Sequence, residues 1–182
     1  MRYYRAVLMT FLTLSVYMFF LYARSRTVTP NTLYKSSQVV VLARCTYKRS
    51  FRSSKGGWIF TEYHFRKALQ VKGSVPSEFS LKIIGGSYGK YKIVVMDAPL
   101  FLKNKNYLLF LKNRSQGVGM LVTGARQGAW SARKSNETGQ WEVQVPRMVA
   151  KRDSAAKKQS ATDRWLSISA LQSLCMTSGG VK

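Results

Sequence analysis

The chain is predicted to be mainly β, with one small β-barrel over residues 37–146, an apolar helix ahead of it and a short helix behind it. Three observations carry this. Residues 37–145 break into seven short runs rich in β-branched and aromatic residues, separated by Gly, Pro, Asn and Ser. No stretch of comparable length there repeats apolar residues at helical spacing. The second run, residues 58–71 (WIFTEYHFRKALQV), is long enough to serve both halves of a closed sheet, which favours a barrel over a flat sandwich.

Ahead of the barrel, residues 6–23 (AVLMTFLTLSVYMFFLYA) run 18 residues without a charge, between Arg2 and Arg5 on one side and Arg24 and Arg26 on the other. As a helix this run spans about 27 Å, near the thickness of a bilayer's hydrocarbon core. Residues 1–26 therefore read as a signal anchor or as a cleaved secretory signal. Length favours the anchor, since the apolar core of a signal is usually about 7–15 residues, and bulky Leu21 spoils the best cleavage site, after Ala23. A basic tag before such a run stays cytoplasmic. The rest of the chain is then expected outside the cytoplasm, either membrane-anchored (periplasmic in a Gram-negative cell) or secreted.

Residues 27–36 (TVTPNTLYKS) read as a polar tether. The barrel runs are residues 38–47, 58–71, 78–84, 91–96, 107–112, 118–124 and 141–145. The third alternates, with Phe79, Leu81 and Ile83 on one face and Glu78, Ser80 and Lys82 on the other, as a half-buried strand requires. Residues 50–57 and 85–90 are rich in Gly and Ser, but they lack phosphate-loop spacing and lead into no helix, so both read as hairpin loops. Gly85 and Gly86 are expected at positive φ. Residues 147–161 form a basic linker. Residues 162–175 read as a helix, capped by Ser160 and Asp163, with Trp165, Ile168 and Cys175 near one face flanked by Leu171 and Leu174. Trp165 and Ile168 make it either a helix docked on the barrel or one that meets a partner. Residues 176–182 are expected to be disordered.

Composition limits the chemistry. Thirty Lys and Arg stand against seven Asp and Glu among 182 residues, a net charge of +23, with one His and two Cys. Paired carboxylates, a His-rich metal site or a Cys/His cluster have little to draw on, so no enzyme, metal or cofactor is expected. Glu62 and His64 share a strand face and read as solvated surface. Cys45 and Cys175 are a candidate disulfide, although Cys45 lies in an apolar run where a packed thiol is also at home. Setting aside Arg2, Arg5, Arg24 and Arg26 still leaves +19. In the first hairpin, Arg44, Lys48, Arg49, Arg52 and Lys55 interleave with Phe51 and Trp58, a mixture that binds polyanions. The expected partners are another envelope protein or an anionic surface, with nucleic acid second.

The block VVVLARCTY, WIFTEYHFRKALQVKGSVPSEFSLKIIGG, DAPLFLKNKNYLLFLKN and GARQGAW resembles an uncharacterised type of exported bacterial domain, itself similar to the netrin-like, OB-type barrel of tissue inhibitors of metalloproteinases. The strongest elements are Lys72 with Gly73, Gly85 with Gly86, Pro99 to Phe101, and Tyr107 to Leu111. The resemblance covers residues 37–132 and implies a small OB/netrin-like barrel with a non-enzymatic role, as an accessory or inhibitor-like module. Two departures matter. Those inhibitors chelate zinc with an N-terminal cysteine, whereas Cys45 sits inside the first strand, so that activity does not carry over. Asn104 replaces a corner glycine, a position where Asn also takes a left-handed turn.

Overall fold

The computed structural model describes residues 28–54, 56–114, 119–146 and 165–177. Its first element is a helix where a tether was expected: α1, Pro30–Ser36. Thr29 caps it, its Oγ1 accepting the Thr32 N–H at 3.2 Å, and Pro30 stands in the first turn, where a missing N–H costs nothing. Leu33 is the buried anchor of this otherwise polar helix. One apolar residue in seven leaves no periodicity to read, so the capping signal was the only clue. The apolar run of residues 6–23 lies outside the described residues, and among those described no helix is long and apolar enough to cross a membrane.

The strands follow as β1 (Val39–Arg52), β2 (Ile59–Lys72), β3 (Glu78–Ile84), β4 (Gly86–Tyr88), β5 (Tyr91–Ile93), β6 (Asn106–Asn113), β7 (Met120–Val122), β8 (Ala129–Lys134), β9 (Trp141–Gln144) and β10 (Trp165–Ser167). A 3-10 turn, Ala125–Gly128, precedes β8, and α2, Ile168–Thr177, follows β10. Eight strands make one antiparallel sheet in the order β10-β9-β8-β6-β1-β2-β3, with β7 also on β6; β4 and β5 form a separate hairpin.

The fold is mainly β, but among the described residues the strand ladders do not close a barrel. β6 is the branch point. One of its edges pairs with β1, while the other pairs with β8 through residues 106–109 and with β7 through residues 111–113. β7 lies against β3 without a ladder joining them. It is three residues long, and β8 has diverted the rest of that edge outward, so too little strand remains to complete a ring.

Two apolar cores lie on opposite faces of this sheet. Val39, Val41, Ala43 and Cys45 of β1 join Tyr107, Leu109 and Leu111 of β6 in the first. Val40 and Leu42 join Leu108 and Phe110 in the second, with Trp130, Val143, Ile168 and Leu171. Strands buried on both faces read as continuous apolar runs, which explains VVVLA and YLLFL. At the centre of the first core Phe101 meets Tyr63, Phe65 and Tyr107 edge-on, each at 5.0 Å between ring centres.

Gly73 is required by its surroundings: it ends β2 at φ 66°, and a Cβ there would collide with the Gln38 carbonyl oxygen. Gly86 is the same case, since a Cβ would strike the hydroxyls of Thr61 and Ser50. Gly85 and Gly86 both take positive φ, as expected, and Asn104 does so at 66°. Residues 50–52 and 86–88, read as parts of loops, are strand, and the run expected over residues 91–96 is strand only to Ile93. β8 and β10 were also missed.

The C-terminal element differs from expectation. Trp165 lies on β10, and the helix starts only at Ile168, with the Ser167 Oγ accepting the Ala170 N–H at 3.2 Å. The expected cap at Ser160 and Asp163 lies outside the described residues. Ile168, Leu171 and Cys175 are buried, whereas Leu174 is exposed. The cysteines do not pair with each other: Cys45 is in the first core and Cys175 in the second, so the sheet separates them.

Phe101→Ala is expected to lose about 3–5 kcal/mol of stability, as for other buried aromatics. Leu100→Ala next door, at 80% exposure, is expected to change it by less than about 0.5 kcal/mol. Urea unfolding of the two variants measures both.

Candidate binding surface

β1 pairs with β6 only from Val39 to Arg44, then continues to Arg52 paired with β2 alone. The hairpin, with β3 paired to β2 from Phe60 to Arg66, is thus a three-stranded ribbon that runs past the end of β6. A bulge between Cys45 and Tyr47 sets what it displays. Before it, odd-numbered residues point into the first core. After it, Tyr47, Arg49 and Phe51 lie outward, on the face of Arg44 and opposite His64, Glu62 and Phe60 of β2. Lys48 and Arg52 turn to the other face.

The basic cluster read from the sequence is therefore divided. Arg44, Arg49 and Phe51 are brought together on the outer face, while Lys48 and Arg52 face the β4–β5 side. Trp58 stands at the hairpin end, 53% exposed, and Lys55 lies outside the described residues. No spacing rule reveals this split, because it depends on one bulge.

The outer face is part neutralised and part aromatic. The Arg49 guanidinium lies 3.9 Å from the Glu62 carboxylate, which His64 Nε2 also approaches at 3.6 Å. Arg66 pairs with Glu78 at 3.0 Å. These exposed pairs add little stability, but they occupy the acids. Glu62 and His64 do share a face, with His64 tilted against the Tyr47 ring. Beyond them Phe51 and Phe60 stack with centres 6.1 Å apart, and Lys82 of β3 places its ammonium 4.7 Å and 5.2 Å from the two rings. On the opposite side the Arg52 guanidinium lies 5.7 Å from the Tyr91 ring and donates to the Gly57 carbonyl at 3.3 Å.

Phe60, Lys82 and Tyr91 are the contributors that sequence reasoning missed. The alternation of β3 had already placed Lys82 on its polar face. What was lacking was the register that sets Glu62 opposite Lys82 and Phe60 opposite Ile84, and so brings Lys82 over the rings. Among the described residues no three His, Cys, Asp or Glu side chains group as metal ligands.

Beneath the ribbon lie three buried acidic protons. Burial pushes the Cys45 thiol above its ordinary 9.0, although the Lys48 charge and a hydrogen bond from the Tyr47 backbone pull the other way. Burial likewise raises Tyr63 and Tyr107 above 10.0, against hydrogen bonds from the Phe101 and Leu102 backbones. The Tyr107 oxygen accepts the Leu102 N–H at 2.9 Å.

No protein-family model matches the chain, and no curated protein or solved structure matches it.

The raised groups give a pH dependence of definite sign. Each keeps its proton in the folded chain at a pH where the unfolded chain has released it. Their contribution is complete below pH 9.0 and is lost as pH rises through 10.0 and beyond. The urea midpoint is expected to fall with pH across that window. Tyr63→Phe, which removes one of the three protons, is expected to flatten the fall.

Proposed function

We propose that the chain is a non-enzymatic binding module of the cell envelope, held by residues 6–23 with its β domain outside the cytoplasm, and that the projecting ribbon binds a polyanion. The carrying observation is the cation-over-ring arrangement of Lys82 on Phe51 and Phe60. A polyanion meets the ammonium with its charges and the rings with its flat apolar faces, so both features serve one ligand. The net charge supplies long-range attraction to any anionic surface. The OB- or netrin-like reading draws support from β1, β2 and β3 on one side and β6 and β7 on the other, with β7 lying against β3.

One observation favours a second reading, single-stranded nucleic acid. The Phe51–Phe60 stack and the exposed Trp58 present flat rings beside cations, the requirement for stacking bases along a charged backbone.

Both readings are tested by titrating the full-length protein with a sulfated polysaccharide and with a single-stranded oligonucleotide across a salt series. Binding is expected to weaken steeply with salt. Arg49→Glu combined with Lys82→Glu, both on the outer face, is expected to flatten the logarithmic salt slope for the oligonucleotide by about 1.4, two phosphate contacts' worth. Loss of Trp58 fluorescence with the oligonucleotide alone would select the second reading. Absence of binding to either polymer at low salt sinks both.

A further inference from the structure

Between β5 and β6 the chain exposes a compact apolar set. Val94, Met96, Leu100 and Leu102 are 77%, 91%, 80% and 61% exposed, the four most exposed large apolar residues among those described. Single exposed apolar side chains need no explanation, but four within residues 94–102 do. The backbone that carries them is pinned. Pro99 and Phe101 are buried, the Leu102 N–H donates to the Tyr107 oxygen, and the Asp97 carbonyl accepts the Arg126 N–H at 2.8 Å. The side chains are held out of the core by their anchored neighbours.

Charge surrounds this loop. Lys90 and Lys92 precede it, Lys103 and Lys105 follow it, and all four are exposed. None takes part in an ion pair among the described residues. Three of the described carboxylates, Glu62, Glu78 and Glu142, are occupied elsewhere by Arg49, Arg66 and Arg133. Asp97 is the one acid of the loop, so four lysines stand against one carboxylate there. Apolar tips within a ring of lysines in such excess match an anionic bilayer surface, where the tips enter the acyl boundary and the lysines meet the headgroups.

Position supplies a third argument. The 3-10 turn that binds Asp97 through Arg126 also binds the Val28 N–H, through Gln127 Oε1 at 2.9 Å. Val28 thus lies beside the loop. Ala23, the end of the apolar run, is five positions earlier, within about 17 Å of Val28 even if fully extended. A bilayer holding residues 6–23 would face the loop.

We propose that residues 94–102 are a membrane-contacting loop that inserts Val94, Met96, Leu100 and Leu102 into an anionic lipid surface. The proposal leans on the anchor reading for position but not on the polyanion reading, since the Phe51–Lys82 face is a separate surface.

The test uses full-length protein with vesicles of phosphatidylcholine, with and without phosphatidylglycerol. An environment-sensitive fluorophore is placed by Met96→Cys, or by Asn136→Cys in the exposed β8–β9 turn as control; both native cysteines are buried. The probe at 96 is expected to enter an apolar environment and be quenched by lipid-borne quenchers in anionic vesicles, and the probe at 136 to stay in water. Lys103→Glu with Lys105→Glu is expected to lower the ratio of inserted to exposed probe at least about tenfold. A vesicle-bound chain whose probe at 96 remains in water overturns the loop proposal alone. A chain that binds no vesicle overturns both the loop and the anchor. Insertion that is equal in uncharged vesicles removes the lysine ring from the account and overturns the anionic surface as its target. A spectral change that needs no lipid and grows with protein concentration shows a second copy as the occupant instead.

Discussion

The β domain depends on the ladder between β1 and β6, where Val39 to Arg44 face Leu111 to Asn106 in antiparallel register. Both faces of this ladder are dry, so water cannot satisfy its N–H and C=O groups, and strand pairing must. Because side chains alternate, the same few residues feed both cores. A slip of β1 by one residue would exchange the residues it gives the first core for those it gives the second, putting Val41 and Ala43 where Val40 and Leu42 pack. Register, core packing and the separation of Cys45 from Cys175 are consequences of one pairing.

What lies off this ladder is what the molecule shows to its surroundings. β1 is longer than the segment of β6 that covers it, so its second half runs on past β6 with β2 and β3 as the ribbon. β6 is longer than β8, so its end is left to the short β7, and the sheet branches where it would otherwise close. The loop of residues 94–102 spans the gap between the β4–β5 hairpin and β6, pinned by Phe101 from within. The inner face of the ribbon still feeds the first core through Tyr63 and Phe65, so its outer face and the tips of the loop are what the cores leave to solvent.

Electrostatics follows the same division. With few acids, the chain places Glu62 and Glu78 beside arginines on the outer face of the ribbon, where they limit repulsion between neighbouring cations. Lysines elsewhere are left uncompensated or rest on rings. Arg133 is a case of both, bonded to Glu142 and 4.0 Å from the centre of the Trp165 ring. Such a surface tolerates high positive charge by dispersing it over aromatic faces, and it remains attractive to anions.

The sequence by itself determined the strands whose environment repeats at short range. β3 was legible to its end residues, because its alternation of apolar and polar side chains states its own burial. β1, β2 and β6 were legible as strands from their β-branched and aromatic runs, and the positive φ at Gly85, Gly86 and Asn104 from residue type. The basic and aromatic character of the first hairpin was equally plain. Only the tertiary structure decided how these parts meet. The bulge after Cys45 divides the basic cluster between two faces, register brings Lys82 over Phe51 and Phe60, and Leu33, with Tyr34 packed beside it, docks α1. β8 and β10 are strands because β6 and β9 offer them edges, and Trp165 left its expected helix for one of those edges. These outcomes depend on partners distant in the chain, whose hydrogen bonds and apolar surfaces outweigh the local propensities that a sequence displays.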